Sequence, residues 1–290
     1  MTGRSASILP PGSAAHRLLL EAVQKRKAVV FAGLPGVGKT LMLQQMAQLS
    51  HAAGRAVHLL QWDVARQAFE TPGILVRYPE VAGTTHAAIR RAAGMWVRDA
   101  VANWAEAHAG DDDLLLGEAP LVGNRFIELA RRESDQAEAF LAAPTTQFII
   151  PAPTLAVRRA IEIRRQREIE QPRHAREAAN APPHVLTLLM KELRAAGAVL
   201  GVPGAGTEGG YDPDVYIAVY SRLLEHRHAR ALPIDECWPV VSSAYDLGVG
   251  AADLQPSAAQ VRSTMERVEA LGSRQLEYEV QNWFHPAPAA

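Results

Sequence analysis

The chain has 290 residues, 48% of them hydrophobic, with 30 basic and 31 acidic side chains and a formal charge of −1. That is enough apolar material for a sizeable core in one large or two small domains, and it excludes the global basic excess that draws a protein to nucleic acid or membrane. The single cysteine, Cys237, makes neither an internal disulfide nor a cysteine-type zinc site. Residues 1–15 lack the basic start and apolar run of a signal peptide, and no apolar stretch approaches the roughly 20 residues of a membrane helix. A cytoplasmic globular protein is expected.

Residues 1–12 read as a loose tail. Ser13 is placed to cap a helix over 14–25, with Leu18, Leu19 and Val23 inward. The run 28–32, Ala-Val-Val-Phe-Ala, is β-branched and ends at glycine, as a buried strand does. Helical spacing follows over 37–53 and stops at Gly54. A second strand is expected over 57–61, a long helix over 84–108, a third strand over 114–116 and a helix over about 122–132. A fourth strand over 147–150 is closed by Pro151 and Pro153. Strands alternating with helices predict βαβ units and a parallel sheet covered on both faces.

From Thr154 the chain turns helical and strongly charged, and a proline-bounded piece over 172–183 interrupts it. A helix over 184–196 precedes a stretch over 197–210 whose six glycines read as a flexible loop. A helix over 214–226, a possible fifth strand over 231–235, a helix over 256–271 and a disordered end over 286–290 complete the chain. No internal repeat is present. The expected division is a tail and helix over 1–27, a main α/β domain over 28–240 with a mobile helical piece over about 154–196, and a helical extension over 241–290.

One motif carries specific chemistry. Gly33-Leu34-Pro35-Gly36-Val37-Gly38-Lys39-Thr40 fits GxxxxGK[ST] in full, with a strand before it and a helix after it. Glycines let backbone N–H groups turn inward around phosphate oxygens. The helix that follows, with Leu41 near its start, presents its positive N-terminal end to the anion. Lys39 reaches the terminal phosphates, and the Thr40 hydroxyl is a magnesium ligand. A chance glycine turn would lack the flanking strand and helix. The segment resembles the Walker A motif of P-loop NTPases and kinases.

Three further features bear on what the nucleotide is for. Asp63 ends the second strand, with Arg66 one helical turn on; the plain alternative is a helix cap. Glu118 ends the apolar run 113–118, while Asp113 stands at its far end. The following 119–126, including Arg125, is placed to line a pocket, or simply to enter a helix. Arg158, Arg159, Arg164, Arg165, Arg167, Arg173 and Arg176 crowd one segment. Beyond Ile163 that helix is polar nearly all round, so it is expected to project into solvent. Its plain alternative is a solvated helix held by pairs such as Glu162 with Arg158 or Arg165.

Over residues 28–196 this order resembles the small-molecule and nucleoside/nucleotide kinases among P-loop proteins. The resemblance implies a three-layer α/β/α P-loop fold with a helical lid and a C-terminal helical extension. It implies ATP and Mg2+ as cofactors, with Thr40 and Glu118 at the metal. It implies Asp63 as the group that orients or deprotonates the acceptor, Arg66 and Arg125 beside the acceptor, and Arg158, Arg164 or Arg165 over the transferring phosphoryl group. The acceptor is expected to be a nucleoside, nucleotide, sugar or sugar nucleotide, the last as in zeta-type toxins. No clean Asp-Arg-Tyr/His substrate motif appears. An Asn-Lys-x-Asp guanine motif is missing, since 124–127 reads Asn-Arg-Phe-Ile. Competing readings are a P-loop ATPase acting on a protein or nucleic-acid partner, where the arginine helix would grip an RNA or DNA end, and a nucleotide sensor without turnover. A homo-oligomer is compatible with the sequence. His226 and His228 lie two apart and are poor paired ligands. Trp62 and Trp96 suit core packing, and Tyr211, Tyr216 and Tyr220 suit packing of a late helix on the sheet.

Overall fold

The run Ala28–Ala32 is strand β1, buried along its whole length. Its side chains alternate between two cores, with Val29 and Phe31 on one face and Ala28, Val30 and Ala32 on the other. The computed structural model describes residues 8–81, 83–178, 180–206, 208–238 and 243–285; 1–7 and 286–290 lie outside them, while the rest of the tail expected to be loose over 1–12 is anchored, with Leu9 buried in the same core as Val29 and Phe31. Around β1 stand β2 (Ala56–Gln61), β3 (Asp113–Ala119), β4 (Thr146–Pro153), β5 (Ala229–Ile234) and the two-residue β6 (Ala252–Asp253). They make one parallel sheet in the order β5-β4-β1-β3-β2-β6.

A parallel sheet of this kind must hide both faces. On one face lie α1 (Ala14–Lys25) and α2 (Lys39–Ala52), packed on Val29, Phe31, Leu59 and Leu116. Ser13 caps α1 by accepting from the His16 N–H. After β2 come α3 (Trp62–Phe69), α4 (Pro72–Arg77) and α5 (Ala87–Ala107); α6 (Glu138–Leu141) precedes β4. Beyond β4 run α7 (Leu155–Glu170), α8 (Ala175–Ala178), α9 (Pro183–Val199), α10 (Pro213–Leu223) and, after β6, α11 (Ala258–Gln281). α5, α9, α10 and α11 share the second core with Val30, Leu60, Leu115 and Phe148. The result is a three-layer α/β/α P-loop fold. Among the described residues no helix is long and apolar enough to cross a membrane.

Pro151 and Pro153 do not close β4; they belong to it. The N–H groups of Phe148 and Thr154 point to the β5 side, donating to His228 O and Ile234 O. Odd-numbered positions therefore face β1, which pairs only as far as Ile149. The prolines lack a donor on the side where no partner strand remains.

The helix expected over 122–132 does not form. Leu121, Asn124 and Phe126 take positive φ (63°, 61° and 68°), as does Gly123, and only the 3₁₀ turn Ile127–Leu129 is helical. Side chains from elsewhere accept the role of the missing helical partners. Arg90 donates to Gly123 O, Arg98 to Glu128 O, Arg227 to Leu129 O and Tyr220 to Pro120 O. The glycine-rich stretch after α9 is likewise wrapped round one cation, since Arg194 donates to the carbonyls of Gly204, Gly206, Glu208 and Gly210. α11 runs past the expected stop at 271, kinking at Gly272 (φ 74°). It docks on α5 through Arg91 to Glu279 (2.6 Å) and Arg267 to Asp99 (3.2 Å).

Candidate functional site

The chain after β1 runs to the β2 side of the sheet, and the chain after β3 crosses to β4 on the other side. Such a divergence opens a crevice at the carboxyl ends of the strands, where open α/β sheets bind ligands. The loop 33–40 sits there. Gly36 (φ 80°) and Gly38 (φ 90°) are left-handed, a conformation that costs a side chain but not glycine. Gly33 is required for space, because a Cβ there would collide with the Tyr216 hydroxyl and lie 2.9 Å from Val37 Cγ2. Gly38 is the N-cap of α2, with no side chain satisfying the first-turn N–H groups. They remain available to an anion.

Lys39 is buried, and its Nζ donates to Leu34 O at 3.0 Å. Burial pushes its pKa below the ordinary lysine value; Glu118 opposes that shift and Arg165 adds to it. Phosphate oxygens are the natural relief for such an ammonium. Glu118 stands level with Phe31 of β1 and Gln61 of β2. Its Oε1 lies 3.5 Å from Lys39 Nζ, and its Oε2 accepts from Thr40 Oγ1 at 3.3 Å. Two hard oxygen donors side by side at a phosphate loop fit magnesium by ligand type. Asp113 lies at the opposite end of β3, paired with His58.

A cleft of about 240 Å3 contains Pro35, Gly36, Gly38, Lys39, Thr40 and Leu41 in its walls. Leu34 supplies a carbonyl to Lys39 and Val37 points into the core. Glu118, Asp63, Arg66, Arg125, Arg164 and Arg165 also line the cleft. Asp63 is in the first turn of α3, with its carboxylate 65% exposed and 3.1 Å from Arg66 Nε. Arg66 is held at its other side by Glu70 (2.5 Å). Burial opposes the Arg66 charge, yet Asp63 and Glu70 outweigh it and raise its pKa. Arg66 is thus engaged on both sides. Arg125 is the opposite case: burial, reinforced by Arg90, lowers its pKa to about 10, and among the described residues its NH1 donates to the carbonyls of Val122 and Gly123.

The arginine helix divides. Arg158 lies outside the cleft; it is buried, bonds Glu162 at 2.9 Å and stacks over the Tyr211 ring at 4.5 Å. Arg164 lines the cleft in a loose pair with Glu168 (3.7 Å). Arg165 lines it with a buried Nε that has no hydrogen-bond partner. α7 does not project into solvent beyond Ile163 as its polarity predicts. It folds over the loop, with Glu162 Cγ 3.9 Å from the position of a Cβ on Gly36. The following segment returns to the sheet, where Arg176 donates to Gln61 at 3.0 Å.

Several wall residues gave no sequence signal. Ala244 and Tyr245 come from the long connection between β5 and β6, and Tyr245 borders the cleft and a neighbouring groove of about 870 Å3 beside Thr40 and Leu43. The Tyr245 hydroxyl donates to Asn180 (2.8 Å), and its ring stacks with His174. Thr85, Val185 and Leu189 also line the cleft. Proline boundaries at 172–183 marked this region as distinct, but nothing periodic marked 243–251. Trp62 and Trp96 are buried in the core, as their bulk predicts.

No protein-family description matches the sequence, and no curated protein is detectably similar. Among solved structures, the crystal structure of Chaetomium thermophilum Kti12 in complex with ADP-AlF3 is similar over 84% of this chain and 97% of that one, at 12% identity and a TM-score of 0.25. So faint a likeness adds nothing to what the sheet order and the loop establish.

Proposed function

We propose that the chain is an ATP- and magnesium-dependent phosphotransferase acting on a hydroxyl or phosphate of a small molecule. The supporting observation is a single cleft whose walls hold the phosphate-loop residues Lys39 and Thr40 with Glu118, Arg164 and Arg165, together with Asp63, Arg125, Val185 and Leu189. Hydrolysis needs room for water alone, whereas walls that extend beyond the phosphate loop suit a second substrate.

In this reading the backbone N–H groups of Gly36 and Gly38, with Lys39, hold the β- and γ-phosphates. Thr40 and Glu118 hold magnesium, which when bound neutralises charge on those phosphates. The groove beside Thr40 and Leu43 takes the nucleoside. Asp63, freed from Arg66 as the acceptor enters, receives the proton of the attacking hydroxyl. Arg125 faces an anionic part of the acceptor. Arg165 donates to the transferring group, where charge develops. Arg164, Arg165 and Glu168 of α7, with residues 180–182 and Tyr245, wall the cleft, exclude water and so limit hydrolysis.

The test is transfer of label from γ-labelled ATP with magnesium to a panel of nucleosides, nucleotides, sugars, sugar nucleotides and nucleic-acid 5′ ends, for wild type and Lys39→Ala. Label on one acceptor, lost in the variant, supports the proposal and names the acceptor class. Label released only as free phosphate replaces it with an ATPase acting on a partner. Unchanged ATP affinity and turnover in Lys39→Ala would remove the loop from the mechanism.

A further inference from the structure

At the end of the strands opposite the phosphate loop, three side chains of metal-ligand type converge. His58 comes from β2, Asp113 opens β3 and His108 caps the C-terminus of α5. Ala56 is level with Asp113, so His58, two residues on, shares its face of the sheet. One donor atom from each of the three lies within 4.8 Å of the other two. His58 Nε2 is 2.7 Å from Asp113 Oδ1. The two imidazoles are 4.4 Å apart and tilted by 59°, and all three residues are half-buried.

The His108 ring explains more than an ion pair would. It stacks on Trp104, and its Nδ1 lies 2.9 Å from the Trp104 carbonyl. A carbonyl only accepts, so Nδ1 carries the proton and Nε2 keeps its lone pair. A backbone carbonyl on the far ring nitrogen is how proteins fix the tautomer of a metal-bound histidine. An ion pair between His58 and Asp113 needs no second imidazole beside it. Asp111 and Asp112 in the preceding turn add negative potential, which Lys27 and Arg55 partly offset.

We propose that His58, His108 and Asp113 form a binding site for a divalent transition metal of the zinc type. Two neutral imidazoles and a carboxylate, without thiolate, suit Zn2+ or its neighbours rather than Mg2+ or Ca2+. The metal replaces the His58–Asp113 hydrogen bond and leaves a fourth position for water. It ties β2, β3 and the end of α5 together, and the proposal stands independently of phosphoryl transfer at the other end of the strands.

The test uses the full chain, free of any histidine tag and stripped of metal by a chelator. Zn2+ is titrated by calorimetry, and Co2+ by its visible absorption. Wild type takes up a single equivalent, the melting temperature rises, and Co2+ gives the spectrum of a four-coordinate site. His108→Gln leaves the His58–Asp113 pair in place. It keeps the metal-free melting temperature but weakens Zn2+ binding beyond the roughly 10–100-fold that changes around a ligand cost. If His108→Gln melts early, Asp113→Asn carries the same comparison. Failure of wild type to take up Zn2+ at concentrations well above its own, or uptake unchanged in a folded variant, overturns the proposal.

Discussion

The loop after β3 and the helix after β4 both depend on arginine, and they use it in opposite ways. Beside the loop, every direction of the Arg98 guanidinium is occupied. It bonds Asp135 (2.6 Å), Glu138 (2.9 Å) and the carbonyls of Glu128 (2.7 Å) and Arg131 (3.1 Å). Arg227 does the same with Glu138 and Leu129 O. In α7, Arg165 faces the cleft with an unpartnered Nε, while its neighbour Arg158 is tied to Glu162 and Tyr211. Arg98 and Arg227 have every nitrogen engaged, whereas Arg165 keeps an open Nε on a residue that lines the cleft; Arg90, Arg131 and Arg158 also keep a buried nitrogen without a partner among the described residues, but none of them lines it. Arginine counts along a sequence do not separate the two roles; partners and position together do.

The sharpest way to break this contrast is to remove one arginine of each kind. Arg98→Ala takes a buried donor from two carboxylates and two backbone carbonyls, so stability should fall by about 3–5 kcal/mol in chemical denaturation. A loss within the ordinary surface range would show that the seam is not structural. Arg165→Ala should leave stability within about 0.5 kcal/mol and, if the proposed transfer holds, lower kcat by roughly 10²–10³-fold. Equal turnover in that variant and wild type would remove Arg165 from the site. Gly94 of α5 supports the seam from the other side, since a Cβ there would collide with the buried Glu128 carboxylate. Gly94→Ala should cost about 1–3 kcal/mol with unchanged nucleotide affinity, measured by denaturation and ATP titration.

A gentler test uses acid. Burial works against the Glu138 carboxylate, but hydrogen bonds from Arg227 and Arg98 outweigh it and lower its pKa to about 2. In the unfolded chain an ordinary Glu titrates near ~4.3, so on acidification the unfolded state takes up the proton first. The stabilisation from Glu138 is whole above that value and is lost as pH falls through about 2. Denaturation midpoints from pH 5 to pH 2 should show this loss in wild type and a smaller one in Glu138→Gln. The smallest effect belongs to Arg164→Ala, whose loose pair with Glu168 is part-exposed. Turnover should change less than about 10-fold, and a larger fall would move Arg164 into the class of Arg165.

Strands β1 to β4 were legible because they are short apolar runs, the composition of parallel strands buried on both faces; the exposed two-residue β6 carries no such run and was not read from the sequence. The loop 33–40 was legible because phosphate binding by backbone amides requires glycines at fixed spacing, and the structure places Lys39, Thr40 and Glu118 together. The turn over 120–126 was not legible. Its left-handed residues are Leu121, Asn124 and Phe126, two of which are poor left-handed residues by local preference. Only distant donors such as Arg90 and Tyr220 make that path satisfactory. The same holds for Tyr245, which reaches the cleft on a connection that crosses the whole sheet between β5 and β6.

The docking of α11 on α5 has a consequence for how the chain comes into being. Arg91 and Glu279 lie 188 residues apart, so the layer that covers α5 is made long after α5 itself. At a ribosomal rate of ~5–20 residues per second that interval is roughly 10–40 s, far longer than a helix or a hairpin takes to form. During it the side of α5 that α11 will cover lacks that cover, while α3 and the 3₁₀ turn after β3 already pack on its other sides. A nascent molecule therefore carries an unfinished apolar surface until the last helix arrives.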